Sequence, residues 1–116
     1  MWQIEYYEKE NGEKPVKVFI NQELDIKLKA EAIALLERLE QEGNNIRLPY
    51  SDYLEDGILE LRIKHSSNIA RILYFFQVGK KIILTNGFIK KTQKTPRKEI
   101  EKAKKYRDDY IRRLKV

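Results

Sequence analysis

The sequence contains no cysteine, a single histidine and no long apolar segment. The absence of cysteine excludes disulfide bonds and thiolate metal sites, and it fits a reducing cytoplasm. One histidine cannot form a histidine-based metal cluster, so we expect neither a metal nor another cofactor. No stretch approaches the roughly 18 apolar residues needed to cross a bilayer, and the first residues lack the pattern of a secretion signal. We therefore expect a cytoplasmic protein that does not contact a membrane.

Charge is distributed unevenly along the chain. Residues 1–56 carry 7 lysines and arginines against 13 acidic residues, a balance of −6. Residues 57–116 carry 17 against 5, a balance of +12, so the net charge of +6 comes from the second half. Such asymmetry indicates that part of the surface meets a polyanion or an acidic partner. The length predicts one domain over residues 1–116.

The first half predicts one strand followed by two helices. Residues 2–7 alternate between apolar and polar side chains, which is typical of a strand. Pro15 favours the first turn of a helix, so we predict a short helix over residues 16–21. Apolar residues then recur at steps of three and four, which predicts a helix from residue 21 or 24 to residue 42. Residues 44–57 are interrupted by proline and glycine, and we predict an irregular connection there.

The second half predicts three strands and a final helix. Residues 58–64 alternate, residues 69–78 are rich in β-branched and aromatic side chains, and residues 81–89 follow a tight turn. The short turns predict an antiparallel meander. From Pro96 the apolar spacing becomes helical, with Thr95 as the predicted N-cap. The order β-α-α-β-β-β-α predicts an α+β fold in which the helices pack on one antiparallel sheet.

Two groups of basic residues lie within the predicted meander. Arg62 and Lys64 share the polar face of its first strand, and His65 follows at the end of that strand. Arg71 interrupts an otherwise apolar strand, where an unpaired charge would cost several kcal/mol in desolvation. The sequence leaves two explanations open for Arg71: a salt bridge, to Glu60 or to the acidic first half, and a functional role.

A third group, over residues 90–98, contains five basic side chains at the exit of the last strand. Arg97 and Lys98 would lie at the positive end of a helix dipole, where cations are disfavoured. A bound phosphate would relieve that strain and could accept hydrogen bonds from free helix N–H groups. Clustered cations suit RNA cleavage, in which the ribose 2′-OH attacks the adjacent phosphorus and negative charge develops on the phosphate. A lysine crowded by other cations has a lowered pKa and can act as a base.

Three segments of the second half carry a family resemblance: residues 57–64 (GILELRIK), 71–76 (RILYFF) and 87–96 (GFIKKTQKTP). Together they strongly resemble the phage-derived, HigB-like branch of the RelE/ParE toxin superfamily. The match covers most of residues 57–110, and the preceding order of elements agrees with it. One departure is that no aromatic residue follows soon after the basic end of the last strand, since the nearest is Tyr106.

The resemblance implies a RelE-like microbial RNase fold and the toxin of a type II toxin–antitoxin system. Such a toxin is a metal-independent endoribonuclease that cleaves messenger RNA, usually on the ribosome, and thereby inhibits translation. Its partners would be mRNA and a cognate antitoxin, in this branch often a helix-turn-helix DNA-binding protein. The implied catalytic residues are Arg62, Lys64, Arg71 and Lys91. The implied RNA- and phosphate-binding residues are His65, Lys90, Lys94, Arg97 and Lys98.

In this mapping Arg71 and Lys91 would stabilise the phosphorane, and Arg62 or Lys64 would assist the base or bind phosphate. Two other functions remain compatible with the sequence. A ParE-like relative would inhibit DNA gyrase without cutting RNA. A non-catalytic module would only bind nucleic acid or the antitoxin, and its binding would weaken with salt without any cleavage products.

Overall fold

The computed structural model describes residues 1–114, and their secondary structure follows the predicted order with one additional strand. The strands are β1 (Gln3–Tyr6), β2 (Ser51–Glu55), β3 (Ile58–His65), β4 (Asn68–Gln77) and β5 (Lys81–Ile89). The helices are α1 (Pro15–Val18), α2 (Ile26–Glu42) and α3 (Arg97–Leu114), with a π-helical turn at Phe19–Glu23 and a 3-10 turn at Gly43–Asn45. The α+β fold class is confirmed, and the architecture is compatible with a RelE-like fold.

The five strands form one sheet in the order β1-β5-β4-β3-β2. The pairs β2–β3, β3–β4 and β4–β5 are antiparallel, as the short turns between them predict. Strand β1 pairs parallel with β5, so the sheet is mixed rather than wholly antiparallel. The prediction of an irregular connection over residues 44–57 is wrong for β2, because pairing with β3 holds this polar segment in a strand at the sheet edge.

Helices cover both faces of the sheet. On one face, α1 and α2 pack on a core that includes Leu39 of α2 and Ile72 of β4. On the other face, α3 packs through Ala103 on Leu73 of β4 and Ile83 of β5. The two cores alternate along each central strand because successive side chains point to opposite faces. Within residues 1–114, no helix combines the length and the apolar character needed to span a bilayer.

The starts of α2 and α3 differ from their predicted positions. Asp25 is the N-cap of α2, and its carboxylate accepts a hydrogen bond from the backbone N–H of Leu28 (2.9 Å). The prediction of Thr95 as the N-cap of α3 is wrong. The carbonyl oxygen of Pro96 accepts bonds from two N–H groups of the first turn (3.0 and 3.3 Å), whereas the Thr95 hydroxyl donates to Glu60.

Candidate active site

The antiparallel pairing of β3 and β4 brings three charged side chains together. Glu60 and Arg62 are two positions apart on β3, so both project to the face that α3 covers. Arg71 of β4 lies directly opposite Arg62 in the register, and Phe88 of β5 lies opposite Arg71. One carboxylate and two guanidinium groups therefore meet on the sheet beside the start of α3.

Glu60 is a buried carboxylate between two arginines. Only 4% of the residue is exposed. Its Oε1 lies 3.6 Å from Nε of Arg71, and its Oε2 lies 3.9 Å from Nε of Arg62. The hydroxyl of Thr95 donates a hydrogen bond to Oε1. Since a buried carboxylate without partners costs several kcal/mol, these three contacts explain how the fold accommodates the charge of Glu60.

Arg71 lies behind Glu60 and is 3% exposed. Its Nη1 donates to the carbonyl oxygen of Ala70 (3.1 Å), while its buried Nε has no hydrogen-bond partner among the described residues. Burial lowers the pKa of Arg71; the charge of Glu60 opposes this shift and that of Arg62 adds to it. The salt bridge between Arg71 and Glu60, one of the two explanations that the sequence left open, is therefore present in the structure.

A cleft of about 460 Å³ opens in front of Glu60. It lies between the edge strand β2, strand β3, the segment that follows β5 and the first turns of α3. Arg71 does not contribute to its lining. Besides Glu60, the charged residues that line the cleft are the basic Arg62, Lys90 and Lys94 and the acidic Asp52 and Glu55.

Lys90 continues the course of β5 by one residue. Its backbone N–H donates to the carbonyl oxygen of Ile69 on β4 (2.9 Å), and alternation places its side chain on the same side as that of Phe88. Burial lowers the pKa of Lys90, and Arg71 and Arg62 act in the same direction, against Glu60. Lys90 consequently releases its proton more readily than an ordinary lysine does.

Buried polar contacts fix the start of α3 next to the cleft. The side-chain amide of Asn86 donates to Oε1 of Glu99 (3.0 Å) and to the carbonyl oxygen of the same residue (3.2 Å). The hydroxyl of Thr85 donates to the amide oxygen of Asn86 (2.7 Å). Because all three residues are buried, α3 cannot shift along the sheet without breaking hydrogen bonds that water would not replace.

Arg97, a predicted phosphate ligand, is occupied by carboxylates. Its Nη1 and Nη2 contact Glu55 at 2.6 and 2.5 Å, and Nη2 also contacts Glu101 at 2.9 Å. The hydrogen bonds that Arg97 donates, first to Glu55 and then to Glu101, raise its pKa. The guanidinium holds α3 against β2 and is not free for an anion in this arrangement.

The other predicted residues are divided between the cleft and the surface. Lys94 lines the cleft with Arg62 and Lys90. Lys64, Lys91 and Lys98 are exposed outside it, and His65 is half-buried at the end of β3.

Glu60 was predicted only as a salt-bridge partner, and its place in the cleft was missed. The available signal was its position: it alternates with Arg62 and Lys64 on the polar face of β3, and acidic residues are rare in that half of the chain.

The cleft combines an acceptor, an anion-binding cation and a donor. The Glu60 carboxylate can take a proton, the Arg62 guanidinium can neutralise an anion, and the Lys90 ammonium can return a proton. Within residues 1–114, no three histidine or acidic side chains converge as metal ligands would. The arrangement is therefore suited to acid–base chemistry at an anionic centre.

A family model described as "Phage derived protein Gp49-like (DUF891)" matches residues 21–108. The match spans about three quarters of the chain, from the segment before α2 into α3, and it contains every residue of the cleft. No curated protein matches the chain significantly.

Proposed function

The chain belongs to the Gp49-like family of phage-derived proteins, and we propose that it is the toxin of a type II toxin–antitoxin system. In this proposal it falls in the HigB-like branch of the RelE/ParE superfamily, cleaves messenger RNA on the ribosome and is neutralised by a cognate antitoxin of the helix-turn-helix class. The observation that supports cleavage is the buried carboxylate of Glu60, which lies between two guanidinium groups and faces a cleft whose lining includes Lys90 and Lys94 as well as the acidic Asp52 and Glu55.

The proposed reaction is an attack of the ribose 2′-OH on the adjacent phosphorus. Glu60 takes the 2′-OH proton as the O2′–P bond forms, and Arg62 neutralises the charge that develops on the phosphorane oxygens. Lys90 gives its proton to the 5′-oxygen as the P–O5′ bond breaks. The products are a 2′,3′-cyclic phosphate and a 5′-hydroxyl end, so protons and bonds balance without a metal ion.

Arg71 is a positioning residue in this scheme rather than one that touches RNA. It lies behind Glu60 and outside the cleft lining, and its Nε approaches the carboxylate at 3.6 Å. The attraction between the two opposite charges at this distance holds the carboxylate in place beside the cleft. Lys90 replaces Lys91 as the catalytic lysine after β5, because Lys90 faces the cleft and Lys91 does not, and it acts as a proton donor rather than as a stabiliser of the phosphorane.

The experiment is expression in a bacterium from a tightly repressed promoter, with growth measured and mRNA 5′ ends mapped by primer extension. The wild type is compared with Glu60→Gln, which keeps the shape of the side chain. The matched control is Glu31→Gln, the same chemical change on the exposed face of α2. We expect growth arrest and new in-frame mRNA ends with the wild type and the control, and neither with Glu60→Gln.

Three outcomes would contradict the proposal. Arrest without new RNA ends would favour inhibition of gyrase, and the absence of arrest with well-expressed wild type would favour a binding module. Cleavage products with 3′-hydroxyl and 5′-phosphate ends would exclude attack by the 2′-OH. Comparing free and translating mRNA with purified protein tests whether the ribosome is required.

A further inference from the structure

The charged residues of α3 fall on two sides of the helix with different surroundings. On the side of the β2–β3 hairpin they are paired. Lys104 Nζ lies 2.6 Å from Oε2 of Glu55, and Arg107 Nη2 lies 2.9 Å from Oδ2 of Asp56. These cations are neutralised by the acidic half of the chain and attach α3 to the sheet.

The outer side of α3 carries a lysine row, formed by Lys98, Lys102 and Lys105. Their spacing of four and three residues places them on one face of the helix. All three are exposed. Within residues 1–114, Lys98 and Lys105 form no ion pair, and Lys102 approaches only the largely buried Glu99, at 3.8 Å. The row therefore presents positive charge to the solvent, and within the described residues only that of Lys102 has a carboxylate partner.

The lysine row starts next to the cleft. Lys94, which lines the cleft, lies three residues before the start of α3, and Lys98 lies in the first turn of the helix. From Lys98 to Lys105 the helix rises by roughly 10 Å. Further along the same side, the Asp109 carboxylate is bonded by Tyr7 and by two arginines of the last turn, so the uncompensated charge ends before it.

The composition of this surface favours a nucleic acid over an acidic protein. Over residues 90–113 the structure exposes no large apolar side chain, whereas α2 exposes Ile26 and Ile33. The centre of a protein interface is apolar and poor in lysine. Interfaces with nucleic acid are more polar and more positively charged. A lysine row without an apolar centre therefore resembles an interface with nucleic acid.

We infer that the lysine row binds the phosphodiester backbone of the RNA strand where that strand continues out of the cleft. This inference rests on the proposed RNA cleavage and adds to it: the substrate is an extended strand, held by phosphate contacts along α3 that carry no sequence information. The row sets affinity for long RNA, while the cleft acts on the scissile phosphate.

The test measures binding without chemistry, so that it can be separated from cleavage. Fluorescently labelled 2′-O-methyl oligonucleotides, one short (about 4 nucleotides) and one long (about 12), cannot be cut and differ in how far they reach beyond the cleft. Affinities are measured by anisotropy over a range of salt concentrations. The variant is Lys102→Gln/Lys105→Gln. The control, Lys27→Gln/Lys29→Gln, makes the same charge change on α2, across the sheet.

We expect the wild type and the control to bind the long oligonucleotide more tightly than the short one, and the variant to lose this gain. For single strands each phosphate contact contributes about 0.7 to the slope of log K against log salt, so the slope should fall by about 1.4. That corresponds to about a 25-fold loss of affinity near 0.1 M salt, which disappears toward 1 M. The short oligonucleotide should bind the variant and the wild type equally.

If affinity depended on oligonucleotide length equally in the variant and the wild type, RNA binding by the lysine row would be excluded, while the proposal for the cleft would stand. Absence of any length dependence in the wild type would do the same. If the control also lost the tighter binding of the long oligonucleotide, the effect would be one of general charge, and the inference about the lysine row would be overturned. Binding of poly-glutamate as tight as that of RNA of equal charge would assign the row to an acidic protein instead. No binding of either oligonucleotide would count against both the row and the cleft.

Discussion

The ion pair between Glu60 and Arg71 should limit the stability of the protein while serving its proposed chemistry. The side chains are 5% and 4% exposed, and the closest charged atoms are 3.6 Å apart. At an effective dielectric constant of about 20, unit charges at that distance attract by roughly 5 kcal/mol. Removing both charges from water costs a comparable amount, and the buried Nε of Arg71 also lacks a hydrogen-bond partner among the described residues. The pair should therefore contribute little net stability.

Three variants test this reasoning. Glu60→Leu leaves Arg71 buried without a carboxylate and should lower the free energy of unfolding by about 3–5 kcal/mol. Arg71→Met should cost less, because Arg62 still lies 3.9 Å from Glu60. The double variant Glu60→Leu/Arg71→Met replaces the pair with apolar side chains. It should be as stable as the wild type, or more stable by about 1–4 kcal/mol, and inactive on RNA.

The assay is urea denaturation of all three variants and the wild type, combined with RNA cleavage. The control is the exposed pair of Lys9 and Glu13, whose replacement by glutamine, singly and together, should show no measurable coupling. The reasoning would be refuted if the double variant lost as much stability as the two single variants added together, since that would show independent contributions. Full cleavage by the double variant would refute the role of Glu60.

Further predictions concern the cleft, the pH dependence of stability and the packing around α2. Lys90→Gln should slow cleavage by about 100-fold or more while Lys91→Gln has little effect, and the wild-type rate should fall as pH rises through the lowered pKa of Lys90. Hydrogen bonds from cations of α3 hold the pKa of Glu55 at about 2, so its stabilisation is complete above its unfolded-state pKa and is lost as the pH falls toward 2. Glu55→Gln should remove that part of the acid denaturation curve. At Gly43, with a φ of 54°, an added Cβ would lie 1.9 Å from Nε1 of Trp2, so Gly43→Ala should cost roughly 2–4 kcal/mol and shift the fluorescence of this single tryptophan.

Local patterns in the sequence were sufficient for the elements whose apolar spacing is regular. The stripe of α2 and the turns of the meander carry their own signals, so α2 and the strands β3 to β5 were predicted near their observed bounds. Strand β2 was missed because its sequence, SDYLE, is polar and gains strand structure only by pairing with β3. The parallel pairing of β1 with β5 joins segments far apart in the chain, and no local pattern encodes such a contact.

The site was predicted less completely than the fold, and the choice between Lys90 and Lys91 explains why. Both lysines follow β5, and the one that faces the cleft depends on which face each strand residue occupies. The face that a residue occupies can be read from the sequence when one face of the strand is polar, as on β3. Residues 82–86 are all buried because helices cover both sides of the sheet, so the sequence there does not alternate between an apolar and a polar face. Only the register of β5 against β4 determines which of the two lysines faces the cleft.

The charge asymmetry of the chain indicated a polyanion, but the number of basic residues does not show where one would bind. Cations of the second half that face the acidic hairpin of the first half, such as Arg97 and Arg107, are neutralised in folding. Cations that lie away from it keep their charge available, and within residues 1–114 these include Lys90 in the cleft and Lys98 and Lys105 on α3. Because both sets are basic in the sequence, only their pairing in the fold separates those that hold α3 in place from those that can hold a phosphate.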